Sequence, residues 1–238
     1  MRESSARRKA RARRIVQRLD AAYPAARCAL HHENAFQLLV ATILSAQCTD
    51  KMVNQVSPAL FARHPTPDSL ADADPAEIER LIQRTGFYRQ KTKSLLAASR
   101  DIVEKFGGEV PRRMEELLTL RGVARKTANV VLGNAFGVPG LTVDTHMIRV
   151  NRRLGLTKHD DPVKIEQDLM ELVPRARWTL YSHQIIHHGR ECCDARRPQC
   201  ERCPLRRECA WPESREGRVS ARGPTRKRAR SARPVRAS

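Results

Sequence analysis

The sequence predicts an all-α protein. Aromatic residues make up 4% of the 238 residues and glycines number only 11, so the core must be aliphatic and alanine-rich, a composition that favours helices over strands. Apolar residues recur at helical spacing through most of the chain, and no segment shows the alternation of a half-buried strand.

Capping residues followed by this spacing indicate where the helices begin. An arginine-rich arm covers residues 1–14, and Ile15 begins the first packed helix. Three further helices are predicted to begin after caps at Asn34, Thr49 and Asp74. Others are predicted over about 91–106, 112–118 and 126–136, after a cap at Asp144 or Thr145, and over 162–173 and 176–188.

The charge of the chain indicates a polyanionic partner. Lys and Arg total 45 against 26 Asp and Glu, a net charge of +19, of which residues 1–18 and 212–238 each carry +7. Displaced counterions drive such chains onto phosphate backbones. Charge alone favours nucleic acid, but a ribosomal or chromatin-like binder fits it equally well.

Nothing in the sequence predicts a membrane span or a secretory signal. No apolar run approaches the ~20 residues that cross a bilayer, and the charged N-terminus is not followed by an apolar stretch. We therefore expect a cytoplasmic, reducing environment, in which disulfides are disfavoured.

Four of the seven cysteines lie within a short segment as Cys193-x6-Cys200-x2-Cys203-x5-Cys209. Four thiolates this close along the chain predict one metal centre. Zinc and a [4Fe–4S] cluster both accept four cysteines, and spacing alone leaves the choice open. Zinc sites favour two Cys-x2-Cys pairs, whereas this segment has one, which favours the cluster.

The segment from Leu120 to Ala128 predicts a glycine hairpin that leads into a helix N-terminus, where backbone N–H groups bind phosphate without reading sequence. An ordinary helix–helix turn is the alternative. Lys126 lies at the start of that helix. The positive helix end, neighbouring Arg125 and desolvation by bound DNA would each favour a neutral, nucleophilic amine. A solvated phosphate contact is the plainer interpretation of a single lysine here.

Asp144 opens a further predicted helix as its N-cap, which would hold the carboxylate ionised and oriented. On the simplest interpretation, Asp144 serves only as this helix cap. The functional interpretation is a carboxylate that faces a developing cationic sugar, as glycosidic chemistry requires.

Taken together, these motifs resemble the endonuclease III family of helix-hairpin-helix DNA glycosylases over about residues 15–211. The resemblance lies in the segments Leu44–Gln47, Gly122–Val131, Val143–His146 and His188–Arg190, in the cysteine spacing, and in their order along the chain.

The resemblance implies two helical domains that flank a DNA-binding cleft. One is a helical barrel that carries the helix-hairpin-helix, here residues 28–138. The other is a discontinuous cluster domain, here residues 15–27 and 139–211, with a [4Fe–4S] cluster on Cys193, Cys200, Cys203 and Cys209. The basic arm at 1–14 and a disordered basic tail at 212–238 lie outside it, as DNA tethers or simply solvated chain.

The resemblance also assigns roles to individual residues. Lys126 corresponds to the nucleophile and Asp144 to the catalytic aspartate. Gln47 would fill the gap left by an extruded nucleotide, Phe87 would wedge against the opposite strand, and Asp50 would reach the base pocket. Further DNA contacts are expected at Gly122, Ala124, Arg125 and His146.

The implied activity is excision of oxidised pyrimidines from double-stranded DNA, followed by β-elimination at the abasic site through a Lys126 Schiff base. We expect a monomer, associated with the nucleoid if the protein is bacterial. Two alternatives stay open: a monofunctional glycosylase, which would lack the lysine, and a non-enzymatic DNA-binding iron–sulfur module.

The sequence departs from the family pattern in the hairpin. The family usually reads Leu-Pro-Gly-x-Gly, whereas this chain has Arg121 in place of the proline and Ala124 in place of the second glycine. The added methyl group of Ala124 lies where backbone would approach phosphate, so the departures concern the closeness of the DNA contact.

Overall fold

The computed structural model describes residues 3–211, and this part of the chain is helical with no strand, which confirms the all-α prediction. None of its helices is both long enough and apolar enough to cross a membrane. The α-helices are α1 (Ser5–Ala22), α2 (Ala35–Leu44), α3 (Asp50–Arg63), α4 (Pro67–Ala71), α5 (Pro75–Ile82), α6 (Tyr88–Phe106), α7 (Met114–Leu117), α8 (Arg125–Ala135), α9 (Thr145–Leu154), α10 (Pro162–Leu172) and α11 (Trp178–Glu191). Single-turn 3-10 helices occupy Gln83–Thr85, Arg175–Arg177, Cys200–Arg202 and Arg206–Glu208.

Side-chain caps set the helix starts that the sequence predicts. Asn34 Oδ1 accepts a hydrogen bond from the backbone N–H of Gln37 at 2.9 Å, and Thr49 Oγ1 accepts one from Met52 at 3.2 Å. Asp74 caps α5 in the same way. Each bond satisfies one of the N–H groups that a helix start leaves unpaired.

The first helix differs from its prediction. α1 begins at Ser5, ten residues before the predicted packed helix at Ile15, so it includes most of the predicted 1–14 arm, whose side chains are mostly exposed. Ala12 is buried, and the Arg11 guanidinium donates to the Glu208 carbonyl oxygen at 3.0 Å. Several arginines of this segment therefore bind the cysteine-rich segment, which sequence periodicity alone does not indicate. The predicted tail at 212–238 lies outside the described residues.

Helix α4 is absent from the sequence-based prediction. Thr66 and Ser69 form a reciprocal capping box around Pro67, which occupies the first turn. The capping signal is present in the sequence, but five residues are too few to produce an apolar period that could be recognised.

Buried apolar side chains form two clusters. The first runs from Leu30 to Leu132 and is built chiefly by α2, α3, α5, α6 and α8. The second joins α1 to α9, α10 and α11, together with Leu205 of the cysteine-rich segment. The first helix of the chain thus packs with the C-terminal half, as the predicted discontinuous domain requires; the exact domain limits stay a prediction.

The two clusters approach each other closely where α8 meets α11. A Cβ atom built on Gly133 would lie 2.6 Å from Thr179 Oγ1, so only glycine permits this approach. The crossing fixes one end of a cleft that opens between the clusters.

Candidate active site and metal centre

A cleft with an open volume of about 620 Å³, counting its mouth, lies between the two clusters. Its walls come from both halves of the molecule, which is a common position for ligand sites. The lining residues are Arg27, Cys28, Ala29, Leu30, Thr42, Ser45, Asp50, Lys126, Val130, Thr142, Asp144, His183, Ile186, His187 and Arg190.

Lys126 reaches the cleft from the first turn of α8, directly after the hairpin. Gly122 in that hairpin has φ +82°, and a Cβ atom built there would lie 2.8 Å from Ser94 Cβ, so the turn requires glycine. Ala124, the N-cap of α8, has φ −96° and supplies no side-chain cap. The alanine therefore adds no backbone strain, and the exposed N–H groups of the helix start suit an anion.

Asp144 lines the same cleft from the start of α9. It caps α9, and its Oδ1 accepts a hydrogen bond from the backbone N–H of Met147 at 2.8 Å. The cap restrains the carboxylate at the end of a rigid helix. The structure therefore brings the predicted amine and the predicted carboxylate into one cleft from two different helix starts.

Gln47 and Phe87 have the left-handed backbone conformation, with φ 51° and 49°, and no other non-glycine residue in 3–211 has a positive φ. Both are exposed; Phe87 leaves 67% of its surface to solvent. A left-handed side chain costs about 1 kcal/mol or more and tends to occur where function requires it. The strain coincides with the two residues predicted to enter DNA.

The side chains of three other predicted contact residues pair with side chains of this protein. Asp50 pairs with Arg190 across the cleft at 2.7 Å, and His146 Nδ1 lies 3.1 Å from an Arg149 guanidinium nitrogen. Arg125 donates from Nε to the Glu166 carboxylate at 2.5 Å. Its charge is thereby offset by a carboxylate, which weakens the influence on Lys126 that the sequence suggested for Arg125.

Helix α11 contributes cleft residues that the sequence interpretation missed. His183, His187 and Arg190 lie at positions i, i+4 and i+7, so that spacing could have placed them on one face. His183 Nε2 lies 2.7 Å from Asn134 Oδ1, and burial lowers the pKa of His183 to about 4. The imidazole is therefore neutral at pH 7.

The four predicted metal ligands, Cys193, Cys200, Cys203 and Cys209, line a second cavity of about 320 Å³, again counting its mouth. Two of the single-turn 3-10 helices and a bend after α11 shape this segment. Its convergence of four thiols identifies it as a metal-binding site.

The spacing of the sulfur atoms tests which group fits. Within residues 3–211, the one set of three His, Cys, Asp or Glu donor atoms closer than 4.8 Å to one another is His188, Cys192 and Cys203. The four predicted ligands therefore surround the cavity at a wider spacing. Zn–S bonds of about 2.3 Å would need sulfurs ~3.8 Å apart, so the quartet fits a group larger than one ion.

Buried Arg153 holds the first ligand loop. Its guanidinium donates to Cys193 Sγ at 3.3 Å and to the carbonyl oxygens of Asp194 and Ala195, each at 2.7 Å, and stacks on the Trp211 ring. A cation at this position offsets negative charge on the thiolates. Five further arginines of the segment are exposed: Arg196, Arg197, Arg202, Arg206 and Arg207.

The chain is similar to proteins of DNA repair. Residues 40–175 match the HhH-GPD superfamily of base excision DNA repair proteins. Endonuclease III of Synechocystis sp. is 57% identical over 203 residues, which cover 85% of this chain and 93% of that relative. This chain belongs to the endonuclease III family. The identification made from its motifs is thereby confirmed.

Two solved endonuclease III structures extend the likeness to the fold of the family. One is a non-covalent complex with DNA and the other a trapped covalent intermediate with DNA. Each is 41% identical, covers 90% of this chain and 98% of its own, and superimposes with a TM-score of 0.83. The cleft described above is therefore part of an endonuclease III fold.

Proposed function

We propose that this chain is a bifunctional DNA glycosylase and abasic-site lyase that removes oxidised pyrimidines from double-stranded DNA. One observation carries the proposal: Lys126 and Asp144, each at a helix start, line the same cleft. Membership of the endonuclease III family and the covalent DNA complex of a relative support it.

Access to the damaged base requires extrusion from the duplex, because the sugar carbon under attack is shielded within the stack. Gln47 would enter the gap left by the nucleotide and Phe87 would wedge against the opposite strand. Their strained, exposed positions suit insertion. The hairpin N–H groups at Gly122 and the α8 start would hold the phosphate backbone.

In the chemical step, the neutral Lys126 amine attacks C1′ of the extruded nucleotide and the glycosidic bond breaks, so that the base departs with the bonding pair and a proton. Asp144 stabilises the positive charge that develops on the sugar. O4′ then leaves C1′ with the bonding pair and takes a proton from solvent as the ring opens, and the nitrogen keeps its remaining proton in a protonated Schiff base, an iminium, with C1′.

Strand cleavage follows from the same intermediate. A proton leaves C2′, the C3′–O bond breaks, and the 3′ phosphate departs with the electron pair, because the iminium acts as the electron sink. Water then hydrolyses the imine and regenerates the Lys126 amine.

Borohydride trapping on duplex DNA with one oxidised pyrimidine tests the function. Wild-type protein should form a covalent adduct, and Lys126→Ala should lower adduct formation at least about a thousandfold, since nucleophile loss is among the largest catalytic effects. Asp144→Asn should slow base release about 10²- to 10⁴-fold with little change in DNA affinity.

Lys164→Ala on α10 is the matched control for lost charge and should trap normally. Base release without any wild-type adduct would indicate the monofunctional alternative, and binding without release would indicate a non-enzymatic module. An adduct that survives in Lys126→Ala would remove this lysine as the nucleophile.

For the metal centre, we propose a [4Fe–4S] cluster on Cys193, Cys200, Cys203 and Cys209. When bound, the group would act as a structural crosslink through four thiolates. This chain's own contribution is to present the exposed arginines between those ligands to the phosphate backbone, where they would add sequence-independent affinity.

Purified protein should be brown with broad visible absorption and about four irons per chain. Cys200→Ser should lose much of that absorption and bind DNA more weakly, whereas Cys28→Ser, outside the quartet, should retain the absorption. A colourless, zinc-loaded wild-type protein of full activity would contradict the cluster. We expect a cytoplasmic monomer, as in the sequence-based interpretation.

A further inference from the structure

A buried lysine on α6 lies outside the cleft and has no part in the chemistry above. Lys91 is 5% exposed, and its Nζ donates hydrogen bonds to the Leu44 carbonyl oxygen at 2.8 Å and to the Thr85 carbonyl oxygen at 2.9 Å. An ammonium group is costly to bury unless its donors are satisfied, so these two bonds largely determine its position.

The two carbonyls close two different elements. Leu44 is the last residue of α2, and Thr85 is the last residue of the 3-10 helix before α6. Helix ends leave carbonyl groups unpaired with partial negative charge, which a cation stabilises. Lys91 therefore acts as one shared C-terminal cap for two segments that are far apart in sequence.

Each capped end leads directly into a DNA-facing residue. Gln47 follows Leu44 in the turn before α3, and Phe87 follows Thr85 through Gly86. The backbone N–H of Lys91 also donates to the Phe87 carbonyl oxygen at 3.0 Å. Lys91 thus bonds to Leu44, just before the Gln47 turn, and to Thr85 and Phe87 on either side of Gly86.

We propose that Lys91 is a positioning residue that fixes the Gln47 and Phe87 turns relative to each other, so that both side chains enter the duplex as one unit. The inference rests on the proposed insertion roles of these two residues. Lys91 acts through the turns and does not contact the reacting atoms.

If Lys91 only stabilised the core, its loss would slow excision from all substrates alike. If it positions the insertion turns, its loss should slow excision when the base must be extruded from a paired duplex, and much less when the damaged base is already unpaired. The same strand, with its oxidised pyrimidine either paired or inside an unpaired bubble, separates these roles.

The variant is Lys91→Met, which keeps the length of the side chain and removes its donors; Lys93→Met, at an exposed position of the same helix, is the matched control. Single-turnover excision should fall about 10- to 100-fold on the paired duplex, the scale of about one hydrogen bond to a charged group. On the bubble it should fall less than about threefold, and Lys93→Met should be close to wild type on both. Lys91→Arg should recover part of the paired-duplex rate.

Equal losses on the two substrates would overturn the proposal. Gln47→Ala and Phe87→Ala separate failure of this proposal from failure of the insertion roles. If neither substitution slows excision from the paired duplex, the insertion roles are wrong. If both slow it while Lys91→Met does not, Lys91 is not the positioning residue. Should Lys91→Met not fold, hydrogen exchange of the wild type decides. The amides of 45–49 and 85–89 should open with one common free energy, and independent opening would contradict the coupling.

Discussion

At the scale of single residues, the molecule keeps conformational strain at two exposed positions, which are also the two residues proposed to enter DNA. Gln47 and Phe87 both adopt a backbone conformation that glycine would adopt at no cost, and both expose side chains of no evident value to the fold. Selection for stability alone would favour glycine at each position. Their presence indicates a functional requirement for the side chains.

Replacement of the strained phenylalanine by glycine tests this trade-off. Phe87→Gly should raise the free energy of unfolding by up to about 1 kcal/mol, because the left-handed conformation is then unstrained, while excision from a paired duplex slows by about tenfold or more. Urea unfolding and single-turnover kinetics measure the two effects. Leu118→Gly, at an exposed apolar position without positive φ, should only destabilise; a less stable Phe87→Gly protein would refute the strain account.

At the scale of elements, α8 depends on another helix for its start. Its N-cap supplies no side-chain bond and its first turn contains no acidic residue. Glu166 of α10, whose side chain is 4% exposed, instead accepts hydrogen bonds from Arg125 and from Asn129 Nδ2, the latter at 3.0 Å. A carboxylate from the second cluster thus supports the turn that carries Lys126.

Removal of that charge should therefore affect both stability and chemistry. Glu166→Gln should lower the free energy of unfolding by about 1–3 kcal/mol, since Arg125 loses a nearly buried partner, and should slow borohydride trapping through displacement of the α8 start. Glu171→Gln, exposed on the same helix, is the control and should change little. Unchanged trapping in a destabilised Glu166→Gln protein would show that the pair supports only the fold.

Sequence reasoning identified individual elements better than the contacts between them. Caps such as Asn34 and Asp144 carry a local signal, and Lys126 and the cysteines lie in motifs of recognisable spacing. The partners of Arg125 and Lys91 lie on distant elements, and no local pattern encodes which helices meet. The pairing of the N-terminal helix with the cysteine segment was expected only from the family resemblance, and no local pattern indicates its individual contacts, such as that of Arg11 with Glu208.

At the scale of the whole molecule, partly buried polar groups lie at the cleft where the two clusters meet. His183 is such a group, held near Asn134 with His187 beside it. Burial, aided by repulsion from His187, lowers its pKa to about 4 from the usual 6.5. Between these values the unfolded chain binds a proton that the folded protein excludes, so the folded state loses stability as pH falls through this window.

The expected size of this effect is about 2 kcal/mol of unfolding free energy lost between pH 7 and pH 5. His183→Gln should make the unfolding free energy less sensitive to pH over that range, whatever its effect at pH 7. His159→Gln, at an exposed position, should leave the pH dependence as in wild type. Denaturant titrations at the two pH values measure both, and identical slopes in all three proteins would contradict a neutral buried His183.

The way α1 joins the second cluster has a consequence for biosynthesis. This helix leaves the ribosome before the other described helices, yet its packing partners α9 to α11 and Leu205 emerge only after the whole first cluster has been made. The first cluster, whose contacts lie between Leu30 and Leu132, is able to collapse while the apolar stripe of Ile15, Val16 and Leu19 still lacks a partner. Folding therefore ends with closure of a long chain loop, and the nascent chain exposes an apolar helix until that closure is complete.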